Sequence, residues 1–252
     1  MIEIFILSLV QGITEFLPIS ASSHLILMSD YLEFENQSLS IDVSLHIGSF
    51  IAVVIYFYKD IISFFKNKII FLKILISSLP VMIVGFFLVE TNLIDRVRNL
   101  ETIAWTTMLF GILLYVCDKF KIEKNLQSNF DYKSVFFIGF LQILSLVPGV
   151  SRSGIAITAA RLLKFKRTDS AKISFLISIP ILGAVSFFGL KNLIFSENIE
   201  FTKLNLISIL VSFFFSFITI KYFLKYVEKF NLNIFAYYRI CLGLILIFIA
   251  YL

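Results

Sequence analysis

The chain has 252 residues, of which 59% are hydrophobic and only 15% are charged, and its formal net charge is +5. Soluble domains average about 45–50% apolar and about 25% charged residues, so this composition excludes an ordinary soluble globular protein. We therefore expect an integral membrane protein. Basic residues that flank membrane spans explain the positive charge better than a nucleic-acid surface does, and we expect no nucleic-acid partner.

The predicted elements follow one order twice, and a broken apolar segment comes first each time. Residues 2–32 are interrupted at "TEFLPIS", and residues 134–163 are interrupted at "LVPGVSRSG". Three apolar segments follow each break, and all of them qualify or nearly qualify as spanning helices of about 20 residues. They cover residues 43–58, 69–89, 103–117, 173–190, 204–220 and 234–251.

The two broken segments are too short to cross a membrane piece by piece. Each splits into two parts of about 14 residues, or roughly 21 Å as helix, against a hydrocarbon core of roughly 30 Å. Pro, Gly and Ser stand at both breaks. Short apolar pairs with such breaks are typical of re-entrant helical hairpins, which enter and leave on the same side.

The halves resemble each other as an internal repeat. A shift of 131 residues aligns three polar pairs: Gln11 with Gln142, Ser20 with Ser151, and Ser22 with Ser153. Each half has one hairpin and three spans, hence an odd number of crossings, so the halves must have inverted topology. We predict an all-α integral membrane protein with a single membrane domain, 1–252, whose repeat halves cover about 1–120 and 131–252.

Basic residues predict which side each connection occupies. Of the 22 Lys and Arg, 15 lie in the connections 59–73, 118–133, 164–172 and 221–229, whereas 4 lie in 29–42, 90–101 and 189–203. The positive-inside rule places the first group in the cytoplasm and both termini outside. The two hairpins then enter from opposite sides, and their broken tips can meet near the membrane midplane.

Polar side chains concentrate at the two tips. The first carries Glu15 and His24 with Ser20, Ser22 and Ser23. Ionisable groups at membrane depth mark candidate functional sites. The second tip, "PGVSRSG", combines small residues with Arg152 before a helix N-terminus, an arrangement suited to phosphate oxygens. The alternatives are a structural Glu15–Arg152 ion pair and a Gly/Ser turn with a snorkelling arginine.

Together the tips suggest phosphoryl chemistry on a lipid. A hydroxyl or imidazole attacks phosphorus, a carboxylate accepts a proton or holds a cation, and an arginine stabilises the developing charge. An apolar enclosure implies a substrate with a long lipid tail. The competing interpretation is a secondary transporter or lipid flippase, which inverted repeats with broken helices also fit. Translocation alone does not require Glu15, His24 and Arg152 together.

Four stretches carry a resemblance to a known family. "QGITEFLPISASSHL", "SLHIGSFIAVVIYFYKD", "LVPGVSRSGIAITAARLL" and "FLISIPILGA" resemble the undecaprenyl-diphosphate phosphatase family, also called the bacitracin-resistance protein. The resemblance implies hydrolysis of undecaprenyl diphosphate to the monophosphate and phosphate with Mg²⁺ or Ca²⁺. It also implies a periplasm-facing site in the bacterial inner membrane, recycling of the lipid carrier for cell-wall synthesis, and bacitracin resistance. A homodimer stays open.

The family's essential carboxylate, histidine and arginine fall on Glu15, His24 and Arg152. Many members have a second carboxylate where this chain has Gln11, and the serine often proposed as nucleophile falls on Ala21. Either Ser20 or Ser22 replaces it, or His24 attacks directly. The predicted catalytic residues are Glu15, His24, Arg152 and Ser22, with Glu15 also a metal ligand. The predicted substrate contacts are Gln11, Ser20, Ser23, Gly149, Ser151, Ser153 and Gly154.

Three further ionisable residues lie in apolar segments. We expect His46 to pack or form a hydrogen bond rather than act as a ligand. A second phosphate contact is the less favoured interpretation of Arg161. Arg239 is expected to snorkel to the cytoplasmic interface.

Overall fold

The computed structural model describes residues 1–32, 38–91, 97–195 and 203–252. These residues form helices and no named strand, with one isolated bridge between Lys124 and Phe165. The helices are α1 (Ile2–Thr14), α2 (Ala21–Leu32), α3 (Leu39–Tyr56), α4 (Tyr58–Lys66), α5 (Lys68–Glu90), α6 (Leu100–Asp118), α7 (Leu126–Asn129), α8 (Tyr132–Gln142), α9 (Arg152–Leu162), α10 (Arg167–Phe195), α11 (Lys203–Lys229) and α12 (Asn233–Ala250). A short 3₁₀ helix, Ile143–Leu146, follows α8.

Six of the described helices, α3, α5, α6, α10, α11 and α12, are long and apolar enough to cross a membrane. They coincide with the six apolar segments predicted above, so the expectation of an all-α, multi-pass membrane protein is confirmed. The structure adds α4, which the sequence pattern had left inside the connection 59–73. Helices α1 and α8 are apolar but shorter, as predicted for the pieces of broken segments.

Close approach of glycines lets the spans pack tightly. A Cβ on Gly48 of α3 would lie 2.5 Å from the Ile209 carbonyl oxygen of α11, and a Cβ on Gly243 of α12 would lie 2.6 Å from Met108 Cβ of α6. Inside a membrane, helix association depends on such contacts and on polar side chains that bond across helices. Ser49 of α3 accordingly lies within hydrogen-bond distance of Ser212 and Ser216 on α11.

One end of the bundle is held by buried charges. Asp118 pairs with Arg161 and Arg167 and accepts a hydrogen bond from the Leu232 backbone N–H. Lys172 pairs with Asp60 at 2.6 Å. These contacts join three of the four basic connections, which therefore lie at the same end, as the predicted sidedness requires.

Arg161 belongs to this end of the protein. Its side chain is fully buried, and it donates to the carbonyl oxygens of Asp118, Phe120 and Phe165. These contacts anchor the connection after α6 to the end of α9, where a short hydrogen-bonded loop closes the helix. The structure thus gives Arg161 a packing role rather than the second phosphate contact.

The three connections predicted to face the opposite side, 29–42, 90–101 and 189–203, include residues 33–37, 92–96 and 196–202, which lie outside the described residues. The division into repeat halves stays a prediction.

Candidate active site

The two chain breaks contact each other. The first separates α1 from α2, and the second lies between the 3₁₀ helix and α9. Ser153 of the second break donates a hydrogen bond to the Leu17 carbonyl oxygen of the first at 2.7 Å. An Arg152 nitrogen lies 2.6 Å from a Glu15 oxygen. The expectation that the tips meet is confirmed.

Each break ends at a serine with an unusual backbone conformation. Ser20 has a φ of +77° and Ser151 a φ of +72°, and each stands directly before a helix. Left-handed backbone is uncommon for residues other than glycine and is often found at functional sites. The Ser151 hydroxyl caps α9 by accepting from the Gly154 N–H at 3.1 Å. Gly149, with a φ of +91°, packs against Thr106, where a Cβ would approach Oγ1 to 1.9 Å.

Glu15 is buried and fully engaged. One carboxylate oxygen contacts Arg152, and the other accepts from Gln11 Nε2 at 2.9 Å. The same Gln11 nitrogen lies 3.2 Å from His46 Nδ1, so His46 serves as a hydrogen-bonding residue, as expected. Gln11 Oε1 is buried without a hydrogen-bond partner. A buried carboxylate is tolerated when it is paired and hydrogen-bonded, and Glu15 meets both conditions.

His24 is held from two sides. Its Nδ1 lies 2.7 Å from the Ser20 carbonyl oxygen, and its Nε2 lies 2.6 Å from the hydroxyl oxygen of Tyr238 on α12. Sequence reasoning did not select Tyr238. A tyrosine in a 16% aromatic chain carries little signal until the fold places it on the histidine.

The three serines of the first tip differ in exposure. Ser20 and Ser23 are buried, and their hydroxyl oxygens lie 2.9 Å apart. Ser22 is exposed, with its hydroxyl oxygen 3.4 Å from that of Ser20. Among them, Ser22 is the hydroxyl best placed to meet a substrate.

The prediction that Arg239 snorkels to an interface is wrong. Its side chain is fully buried, and Nη2 donates to the carbonyl oxygens of Gly149 and Val150 at 2.8 and 2.9 Å. Nη1 lies 3.4 Å from the Pro18 carbonyl oxygen. The breaks free backbone carbonyls far from water, and a guanidinium with five donors satisfies several at once. An arginine inside an apolar span was the available signal, since such residues are functional candidates by default.

The charges around the tips favour an anionic ligand. Two guanidinium groups, those of Arg152 and Arg239, adjoin the second tip, whereas Glu15 is the carboxylate in contact with them. The N-terminus of α9 adds a partial positive charge at the same place. Arg239 is occupied by backbone carbonyls, so Arg152, with 16% of its side chain exposed, is the cation available to a phosphate.

A divalent cation fits the site on limited terms. The described residues contain no group of three or more His, Cys, Asp or Glu that could hold a metal ion. Glu15 and the unpartnered Gln11 Oε1 offer a carboxylate and an amide oxygen. Mg²⁺ is commonly bound by one or two carboxylates together with substrate phosphates, so this small donor set is adequate when a diphosphate is present.

Known proteins place the chain in a family. The family described as "Bacitracin resistance protein BacA" matches residues 4–245. The chain belongs to this family. A relative in Pelagibacter ubique (strain HTCC1062), named undecaprenyl-diphosphatase, is 49% identical over 251 residues, which cover 99% of this chain and 98% of the relative. A second undecaprenyl-diphosphatase, from Jannaschia sp. (strain CCS1), is 34% identical over 261 residues and 98% of both chains. The resemblance noted from the sequence motifs of this BacA family member is thereby confirmed.

Proposed function

We propose that the protein hydrolyses undecaprenyl diphosphate to undecaprenyl phosphate and inorganic phosphate. The observation that carries the proposal is the 2.6 Å contact between Glu15 and Arg152, which unites the two polar tips beside His24 and a capped helix N-terminus. The names of the two relatives support the substrate. The reaction recycles the lipid carrier for cell-wall synthesis and confers bacitracin resistance.

The substrate is bound by the second tip. The terminal phosphate lies against Arg152 and the first turn of α9, where Ser151, Ser153 and Gly154 supply hydroxyl and backbone groups. The lipid tail runs into the membrane along the apolar helices. A bound divalent cation, Mg²⁺ or Ca²⁺, supplies neutralisation of phosphate charge, and Glu15 and Gln11 would hold it.

Ser22 is the proposed nucleophile. Its hydroxyl oxygen forms a bond to the terminal phosphorus while the bond from that phosphorus to the bridging oxygen breaks, which releases undecaprenyl phosphate. The hydroxyl proton passes to Glu15 or His24, and Arg152 stabilises the charge on the phosphoryl oxygens. Water then cleaves the phosphoserine. The exposure of Ser22, in contrast to Ser20 and Ser23, supports this choice.

The membrane arrangement proposed with this function is an inverted repeat with two re-entrant hairpins. The helix packing supports it, since exchanging the halves converts the α1–α11 contact into α8–α5 and the α3–α11 contact into α10–α5. The α6–α12 and α3–α10 pairs map onto themselves. The positive-φ serines, Ser20 and Ser151, and the buried glutamines, Gln11 and Gln142, also correspond.

Both termini are expected in the periplasm of the bacterial inner membrane. Single cysteines at Leu39 and Lys68, in a background with Cys117 and Cys241 replaced by alanine, test this, because both positions are exposed near the ends of spans. A membrane-impermeant thiol reagent added to intact spheroplasts should label the first and spare the second. The reverse pattern would contradict the proposed sidedness.

Phosphate release is the direct test of the proposed activity. Purified protein in detergent, supplied with a C55 diphosphate lipid and Mg²⁺, should release inorganic phosphate, and a chelator should suppress the release. Folded protein that binds the lipid without releasing phosphate would favour a transporter or flippase. Release that persists undiminished under chelation would contradict the proposed cation.

Replacing Ser22 with alanine should nearly abolish turnover, because the attacking hydroxyl is lost. Ala21→Ser in the Ser22→Ala background should restore part of the rate by supplying a neighbouring hydroxyl. Ser20→Ala and the Ser20/Ser22 double variant complete the series. If all the alanine variants keep a tenth or more of normal turnover, the serine mechanism is wrong, and a phosphohistidine at His24 trapped by an acid-free quench is then expected.

A further inference from the structure

The ring of His24 has one nitrogen that must carry a proton. Nδ1 lies 2.7 Å from the Ser20 carbonyl oxygen, which only accepts hydrogen bonds, so Nδ1 is the donor. In the neutral ring, Nε2 is then the acceptor and the only nitrogen with a free lone pair. Any role of His24 as base or nucleophile therefore passes through Nε2.

Tyr238 occupies that nitrogen. Its hydroxyl oxygen lies 2.6 Å from His24 Nε2, and the two ring planes are inclined by only 10° with their centroids 5.8 Å apart. A near-coplanar arrangement directs the phenolic O–H along the ring plane of the imidazole, where the Nε2 lone pair lies. The contact joins residues 214 positions apart in the chain.

The backbone of α12 is itself anchored to both tips. Arg239, the next residue after Tyr238, donates to Gly149, Val150 and Pro18. Successive residues of a helix point in different directions, so α12 delivers the arginine into the interior and Tyr238 to the more exposed side of the tips. The tyrosine is therefore held in place by a rigid element rather than by a loop.

We propose that Tyr238 is a positioning residue that holds the His24 ring in the Nδ1–H tautomer, with Nε2 directed towards the reacting groups. The role in turnover rests on the proposed function. Ser20 fixes one edge of the ring and Tyr238 the other, so the imidazole cannot rotate without losing a hydrogen bond. A base or nucleophile fixed in this way loses less entropy on the way to the transition state.

Tyr238→Phe is the test, because it removes the hydroxyl and keeps the ring. The expected result is a fall in kcat of about three- to tenfold, the range of a typical net hydrogen bond, with KM within about twofold. Tyr237→Phe is the matched control, since Tyr237 is exposed on the same helix and packs against Tyr115 instead. It should leave both constants unchanged.

A second measurement does not depend on turnover. The chain has 2 histidines, so ¹⁵N-histidine NMR gives two pairs of ring nitrogens, which His24→Asn assigns. Wild-type His24 should be in the Nδ1–H tautomer, and Tyr238→Phe should shift its Nε2 resonance while Tyr237→Phe does not. An unchanged Nε2 resonance, or a variant altered in KM alone, would overturn the proposal.

The two hypotheses fail differently. Absence of phosphate release by the wild-type protein contradicts the proposed function, and the nitrogen resonances then decide by themselves whether Tyr238 holds the ring. Normal kcat in Tyr238→Phe, alongside an active wild-type enzyme, contradicts the positioning role and leaves the proposed function intact.

Discussion

Arg152→Lys is expected to cut turnover at least about a hundredfold while leaving the protein folded. The substitution keeps the positive charge, but lysine lacks the planar fork that binds two phosphate oxygens at once. Loss of one preorganised charge-stabilising donor typically costs roughly 10²–10³ in rate. Phosphate release from a C55 diphosphate lipid measures the effect, and thermal denaturation in detergent checks folding.

Glu15→Gln should give a loss of the same size, since the amide neither accepts a proton nor pairs with Arg152 as a charge. Arg167→Lys is the matched control. Arg167 pairs with Asp118 at the opposite side of α9 from the tips, with its Nε 2.7 Å from the carboxylate, and its replacement should change turnover little. Near-normal hydrolysis by folded Arg152→Lys and Glu15→Gln would mean that the Glu15–Arg152 pair is only structural.

Arg239→Met should both destabilise the protein and inactivate it. The Gly149 and Val150 carbonyl oxygens lose a charged donor, and hydrogen bonds to charged groups are worth roughly 1.5–3 kcal/mol each. We expect the free energy of unfolding to fall by about 3 kcal/mol. Without this clamp the tips shift, and a displacement of about 1 Å can cost a hundredfold in rate.

Thermal denaturation and phosphate release, measured on the same preparation, test this prediction. Lys225→Met is a suitable control, because it removes an exposed cation of α11 and should alter neither quantity. Addition of guanidinium to the Arg239→Met variant offers a second check, since a small cation that enters the vacated space should recover part of the turnover. A variant that melts and turns over as the wild type would contradict the clamp.

Much of the fold was predictable from hydropathy because the membrane imposes a length on every span. The six long helices and the two breaks follow from that constraint, and the breaks are where Glu15, His24 and Arg152 are found. The repeat offset of 131 residues also had physical content. It paired Ser20 with Ser151, and both proved to have left-handed backbone before a helix.

The roles of the interior cations were not predictable in the same way. Arg161 and Arg239 both occur as single arginines among apolar neighbours, and hydropathy treats them alike. The fold sends one to Asp118 at the end of the bundle and the other to the tips. Which carbonyls lack a donor depends on where helices break and on what packs against each break, so the destination of a buried arginine is decided in three dimensions.

The sequence by itself determined the membrane class, the spans, the breaks and the polar residues at them, since each depends on local composition and length. Only the tertiary structure decided that α12 closes the site. Tyr238 and Arg239 lie more than 200 residues after the first tip, and no local pattern connects them to His24 or Pro18. They reach the tips because α12 packs along α6, which contacts α9, so the packing of whole helices, rather than any motif, completes the site.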